Sequence, residues 1–323
     1  MKAAVVEAAG KTPRYSEFTD PSRKSGNELI SVRAAALSQL ARARASGAHY
    51  SADSTFPAVV GVDGVGITQD GRRVYFVLPE APYGAMAEMT TVPVERCIAV
   101  PPEIDDITAA AIANPGMSVG AALAERAHLK LGETVLINGA TGVAGRLAVQ
   151  IARYMGASKV IATGRDPEAL EEVRALGADV VIPFSLGVSH PNGAREYEAA
   201  LKEQFSMGID VVVDYLWGKS AETIVIAIAK AAEDGVPVRF VQVGAASGDD
   251  VQLPGAALRS SSIVLMGSGL KSVPMPRLLA AIGNVYQAVV PANLHIATKA
   301  VPLAQVEETW NDNGKARVVF VVG

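Results

Sequence analysis

The chain has 323 residues, half of them hydrophobic and 19% charged, with a formal net charge of -4. At about 150 residues per domain this predicts two domains, and the Lys and Arg are scattered, which excludes a nucleic-acid binder built on a basic stripe. The single cysteine, Cys97, excludes an internal disulfide, no uncharged apolar run approaches the roughly 20 residues of a membrane span, and the opening MKAAVVEAAG lacks a long apolar core, so a cytoplasmic location without a membrane partner is expected.

The first third reads as β-rich. Residues 2–6 and 28–35 have strand character, the second after the turn-like Ser25, Gly26 and Asn27. Residues 58–68 are apolar and glycine-rich, and Asp70 with Gly71 signals a hairpin ahead of the apolar run 74–78. Further strands are expected at 90–94 and 97–100, closed by Pro101 and Pro102. From Ile107 the pattern turns helical: 108–124 is alanine-rich, with an expected interruption at Asn114, Pro115 and Gly116.

Strands and helices then alternate. Strands are expected at 134–138, 159–163, 179–183, 209–214, 238–243 and 263–267, and helices at 143–155, 167–176, 194–205 and 220–232. Val143, Leu147, Ile151 and Met155 share one face of the first of these helices. Continuous apolar strands separated by helices imply a parallel sheet covered on both faces, and six of them make a doubly wound, Rossmann-type domain. A helix at 275–289 follows, and the chain closes with a strand at 295–301, a helix at 303–310 and a strand at 316–322. That tail is too short for its own core, so it is expected to return to the β-rich part. The expected class is α/β, with domains at 1–117 plus 272–323 and at 118–271.

The most specific local signal is the run Asn138, Gly139, Ala140, Thr141, Gly142, Val143, Ala144, Gly145, a G-x-x-G-x-x-G spacing between a strand and a helix. Glycines permit a tight turn and close backbone approach, and the helix N-terminus offers unpaired amides and a positive dipole end to a pyrophosphate. Ala140, Thr141, Gly142, Val143 and Ala144 are therefore expected to bind a dinucleotide. NAD sites usually carry Asp or Glu about 20 residues later, for the ribose 2′-hydroxyl. Here the second strand ends Thr163, Gly164, Arg165. A guanidinium and a hydroxyl suit a 2′-phosphate, which predicts NADPH. Asp166, before Pro167, reads as a helix cap.

On the segments 34–47, 61–66, 84–89, 138–145, 210–218, 243–248 and 315–319, the chain resembles the zinc-free quinone oxidoreductase, zeta-crystallin-like branch of the medium-chain dehydrogenase/reductases over nearly its whole length. The resemblance implies a GroES-like β-rich catalytic domain carrying an inserted Rossmann domain. It also implies hydride transfer to a quinone or an α,β-unsaturated carbonyl, and a homodimer. By position it places Ser118, Tyr215, Gly244, Ala245, Ser268 and Gly269 beside the cofactor. Ser118 reads equally as a hydroxyl bonded to its own helix, and Tyr215 as core packing.

No zinc is expected. Cys97 stands alone, and His49, His128, His190 and His295 lack ligand spacing. Gly61, Val62, Asp63 and Gly64 occupy the place of the Gly-His-Glu run of zinc relatives without the histidine, and Asp63 reads as a buried structural carboxylate. Acceptor polarisation must then come from hydrogen bonds, and Tyr50 is the expected catalytic group. The first pocket segment departs from the family, with Ser38 and Ala41 in place of its usual Asn and Asp. Arg42 and Arg44 there read as exposed helix arginines or as attractors of an acidic substrate. An enoyl-thioester reductase, or a catalytically silent NADPH-binding sensor or structural protein, are the alternatives.

Overall fold

The computed structural model describes residues 1–52 and 55–323. It divides into an N-terminal unit, residues 1–114 with 282–290 and 295–323, and a second unit, residues 115–281 with 291–294.

The N-terminal unit starts with β1 (Lys2–Val6), β2 (Arg14–Glu17), β3 (Asn27–Ala36) and the short helix α1 (Gln39–Ala45). It continues with β4 (Ala58–Val59), β5 (Asp63–Thr68), β6 (Arg73–Val77), β7 (Met89–Pro93) and β8 (Cys97–Ala99). Strand β1 sits between β2 and β4 in a small antiparallel sheet. β5 and β6 form the hairpin signalled by Asp70 and Gly71, with Gly71 at φ +83. The β3–β5 register shifts between Val32 and Ala34. Ile30, Val32, Val74, Phe76, Val92, Val318 and Phe320 fill the core of this unit.

Helix α2 (Asp106–Ala121) follows and continues into a wider turn of π type, Ala122–Arg126. The interruption expected at Asn114–Gly116 does not occur, because Pro115 lies inside the helix. Proline deletes one backbone donor. Burial of Ala109–Ala113, Val119 and Ala121–Leu123 outweighs that loss, and the Ser118 hydroxyl donates to the Pro115 carbonyl at 2.8 Å. The span Asp106–Arg126 has the length and hydropathy of a membrane helix, but 67% of its most apolar window is buried within the protein, as in a core helix.

The second unit alternates as the sequence predicts. It contains β9 (Thr134–Asn138), α3 (Val143–Tyr154), β10 (Lys159–Gly164), α4 (Pro167–Ala175), β11 (Val180–Pro183) and α5 (Gly193–Ser206). Then come β12 (Val211–Asp214), α6 (Gly218–Ala231), β13 (Val238–Gln242), α7 (Gly255–Arg259) and β14 (Ile263–Gly267). All six strands are parallel, in the order β11-β10-β9-β12-β13-β14. This is the doubly wound arrangement in which the chain reverses direction beside the first strand, and ligands bind at the carboxyl ends there.

Helix α8 (Met275–Val289) has the bounds the sequence predicts. The end of the chain is more broken: β15 is Thr298–Pro302, a 3-10 turn occupies Leu303–Gln305, α9 is only Val306–Thr309, and β16 is Arg317–Val321. β16 pairs with β3, so the tail does return to the N-terminal unit, in a sheet ordered β15-β16-β3-β5-β6-β8 with β7 on β3. The unexpected elements β2, α1 and α7 are four to seven residues long. Pairing and packing stabilise them, and their own periodicity is too brief to read.

Candidate functional site

The glycine loop joins β9 to α3. Gly139 adopts φ +86, a conformation that L side chains avoid. A Cβ on Gly145 would stand 2.3 Å from the Gly139 carbonyl oxygen and 2.6 Å from Ala140 Cα, so helix and loop touch backbone to backbone. Gly142 is the N-cap, is exposed and has no side chain to cap the helix. The first intrahelical bond runs from the Arg146 N–H to the Gly142 carbonyl at 2.9 Å. The amides of Val143, Ala144 and Gly145 are thus left to an incoming anion, and no acid stands in the first turn to repel it. These features fit a dinucleotide pyrophosphate: the cradle is shaped by glycines whose side chains would fill it.

Neighbouring turns complete the crest. Ala140 is fully buried, and its N–H donates to the Thr163 carbonyl at 2.9 Å. Thr141 lies over the end of β10, where a Cβ on Gly164 would meet its Cγ2 at 2.7 Å. Gly244 packs so closely on the turn after β12 that a Cβ would sit 2.8 Å from the Tyr215 carbonyl oxygen. The Ser268 N–H donates to Gln242, and the Gly269 N–H to the Ser272 hydroxyl at 2.7 Å. Val143 and Ala144 are half-buried in the first turn of α3, and Ala245 is exposed. Tyr215 is half-buried, and burial of its phenol pushes the pKa up. Its hydroxyl lies 3.4 Å from that of Ser118, so both side chains are engaged with protein atoms.

Two expectations at the end of β10 part company. Arg165 is exposed and makes no ion pair among the described residues, while Asp166 accepts from the Ala169 N–H as the cap of α4. Thr163 must be corrected. Its side chain is fully buried and its hydroxyl donates to Asn138 Oδ1 at 2.7 Å, so it faces the interior and offers nothing to a 2′-phosphate. Alternation along a strand sends successive side chains to opposite faces, and the inward one at this level is Thr163.

In the N-terminal unit, Ser38 caps α1, accepting from the Ala41 N–H at 3.0 Å. Arg42 is neither loose nor available to an acidic substrate. Its guanidinium donates to the carbonyls of Trp310 and Asp312 and to the Asn313 side chain. Arg44 holds Ser51 through the backbone carbonyl and the hydroxyl. Tyr50 is 58% exposed, with its ring 4.1 Å from that of His49. It does not line the cavity bounded by Ala41, Arg44, Phe56, Val62 and Leu78.

Asp63 is fully buried, accepting from the Tyr75 hydroxyl at 2.9 Å. Burial raises its pKa to about 6, against the pull of the nearby Arg317 cation and the Tyr75 bond. Asp63 Oδ1 and Arg317 Nε and Nη2 make no hydrogen bond to the described residues. Among the described residues no three His, Cys, Asp or Glu side chains converge as a metal site. The feature that sequence reading missed is the polar group beneath the glycine loop, Asn138, Asp214, Ser220 and Tyr197. Its only signal was a polar residue ending each of two apolar strands.

Residues 144–283 match the family described as zinc-binding dehydrogenase. A "Probable NADPH-dependent quinone reductase" of Emericella nidulans is 27% identical across 99% of this chain and 100% of its own. Over its whole length the chain is thus similar to a quinone reductase, and over residues 144–283 to the dehydrogenase family. The NADPH-dependent alkenal/one oxidoreductase of Arabidopsis thaliana is 34% identical over 53% of this chain and 48% of its own. The Thermus thermophilus quinone oxidoreductase, solved also with NADPH, superposes on this chain with TM-score 0.80 at 23% identity, covering both chains fully. A mycobacterial protein solved with NADPH gives 0.83 at 22%, again over both whole chains. At such identities the likeness is one of fold.

Proposed function

We propose that this chain is an NADPH-dependent oxidoreductase that reduces quinones or α,β-unsaturated carbonyls without a zinc ion, acting as a cytoplasmic homodimer. The observation that carries the reading is the glycine cradle at the start of α3, with its unpaired amides, and the exposed Arg165 at the end of the adjacent strand. When bound, NADPH supplies the hydride, which is chemistry the protein itself lacks. The chain contributes position and electrostatics. The α3 amides take the pyrophosphate, Arg165 takes the 2′-phosphate as a charged fork, and the turns at Gly244 and Ser268 hold the rest of the cofactor against the strand ends. Tyr50, beside His49, is the phenol offered to the acceptor oxygen. Absence of a His/Cys/acid cluster among the described residues supports polarisation by hydrogen bonding.

Arg165→Ala is expected to raise the KM for NADPH by about 10-fold or more, the worth of a charge-assisted bond, and that for NADH less than about 2-fold, since NADH has no 2′-phosphate. Steady-state kinetics with a benzoquinone and an enone test both this and the activity itself. Equal effects on the two cofactors would remove the basis for NADPH preference, and no cofactor oxidation with any acceptor would favour a silent binding protein.

The dimer reading rests on β14. It is an edge of the six-stranded sheet and is apolar throughout, with Val264 43% exposed. The opposite edge, β11, ends in Pro183, which offers no N–H to a further strand. A long apolar edge left open is an aggregation hazard, and pairing it with its own copy about a two-fold axis removes the hazard. The double variant Val264→Lys/Met266→Lys is expected to run as a monomer in size-exclusion chromatography with light scattering. A dimer of unchanged stability would move the interface elsewhere.

A further inference from the structure

Beneath the glycine loop lies a polar group in which Asn138 is saturated. Its Nδ2 donates to Asp214 Oδ1 at 2.7 Å and to the Ser220 hydroxyl at 3.0 Å. Its Oδ1 accepts from the hydroxyls of Thr163 at 2.7 Å and Tyr197 at 3.3 Å. An amide has two N–H donors and two acceptor lone pairs, so every valence is used. Asn138, Thr163 and Asp214 are fully buried, and Ser220 and Tyr197 nearly so. Such a group is stable only when complete, because each lost partner strands a polar atom away from water.

The same residues hold the three turns that form the cofactor crest. Asn138 is the last residue of β9, directly before Gly139, and its carbonyl accepts from the Tyr215 N–H at 3.1 Å. Thr163 accepts from the Ala140 N–H through its carbonyl while its hydroxyl holds the Asn138 amide. The Asp214 carboxylate accepts from the N–H groups of Leu216 and Trp217, at 3.0 and 3.1 Å. Its backbone carbonyl accepts from Val243 and Gly244. The Leu216 side chain lies against Gly139, where a Cβ would meet its Cγ at 2.8 Å. The glycine loop, the turn at 215–217 and the turn at 243–244 are therefore joined through Asn138 and Asp214.

We propose that Asn138 and Asp214 are positioning residues for the cofactor: their amide–carboxylate pair fixes the glycine loop to the turns after β12 and β13, so that the pyrophosphate amides are in place before NADPH arrives. This rests on the NADPH reading above. Neither side chain touches the ligand, and both act through the backbone they hold. Preorganisation of this kind is expressed in cofactor affinity, because a loose cradle must be ordered on binding.

The test is a swap. Asn138→Asp removes both donors and sets a second carboxylate against Asp214. In Asn138→Asp/Asp214→Asn the amide stands at position 214, where its Nδ2 can donate to position 138 and its oxygen accept from Trp217, while the Leu216 N–H loses the acceptor it shares with Asn138. The carboxylate then stands at position 138, where it can accept from that amide and from the hydroxyls of Thr163, Tyr197 and Ser220. Fluorescence titration with NADPH is expected to show Kd raised about 30-fold or more in the single variant and partly recovered, to within about 10-fold of wild type, in the swap, where the charge-assisted bond returns and the Leu216 N–H stays unpaired. The KM for NADPH should rise by a larger factor than kcat falls. Thr163→Val removes one bond of the group and covers the case in which Asn138→Asp does not fold; its Kd is expected to rise about 5-fold, for one neutral hydrogen bond. An unchanged Kd in Asn138→Asp, a swap no tighter than the single variant, or an unchanged Kd in Thr163→Val would each overturn the proposal. Wild-type protein that takes up no NADPH would instead sink the cofactor assignment itself.

Discussion

Gly145→Ala is expected to cost the protein most of its NADPH affinity, with Kd raised about 100-fold or more and a lowered Tm. The added methyl cannot be absorbed by rotating a side chain. It would stand 2.3 Å from the Gly139 carbonyl oxygen and 2.6 Å from Ala140 Cα, both backbone atoms of the loop that faces the cofactor. Helix α3 must therefore back away or the loop must rise. Overpacking costs about 1–3 kcal/mol even in forgiving sites, and here the displaced atoms belong to the cradle. Gly283→Ala is the control. Gly283 lies in α8, where an added methyl would meet nothing within 4 Å, and alanine in a helix interior is worth about 1 kcal/mol over glycine. Its Tm should hold or rise, with NADPH binding unchanged. Wild-type binding by Gly145→Ala would mean that the contact between α3 and the loop does not set the shape of the site.

The second large effect concerns Asp63 and Arg317. Arg317→Met is expected to destabilise the protein by about 3 kcal/mol, because it removes the nearby cation that offsets burial of the Asp63 carboxylate and leaves that charge uncompensated. It leaves a fully buried carboxylate whose Oδ1 already lacks a hydrogen bond among the described residues. Asp63→Asn should cost less, because burial already favours the uncharged side chain at this position. The double variant Asp63→Asn/Arg317→Met should recover more than half of the loss, because neither residue then carries an uncompensated charge. Urea unfolding of the four proteins measures this, and additive losses would show that the two groups do not interact.

The same carboxylate has a pH signature. Burial raises the Asp63 pKa from 3.8 to about 6, so the native state keeps a proton that the unfolded chain releases near pH 4. Its contribution to stability is fully present below pH 4 and is lost as pH rises through about 6. The wild type should accordingly lose stability relative to Asp63→Asn between about pH 4 and 6, with a constant difference at higher pH. Asp214, raised by burial to about 6 as well, is common to both proteins and cancels in that comparison.

Much of this was written in local pattern. The six parallel strands announce themselves as apolar runs because both sheet faces are covered, and each was placed to within two residues. The glycine loop was legible because φ > 0 at Gly139 and the close approach at Gly145 leave no other residue type suitable. The cap at Asp166 was legible from the following proline. Pro115 misled because propensity is local, whereas burial of the surrounding alanines, which keeps α2 unbroken, is not. Strand β2 carries the polar run RYSE and exists through its pairing with β1.

The sequence by itself determined the order of elements, the doubly wound class and the anion cradle, since these follow from periodicity and backbone sterics over a few residues. Tertiary structure alone decided that Thr163 turns inward to Asn138, that Arg42 clamps the 310–313 turn, and that Asp63 shares a buried site with Tyr75 and Arg317. The physical reason is that a polar side chain's role depends on which donors and acceptors lie within about 3 Å of it. For these residues most of the partners come from 12 to more than 250 positions away in the chain.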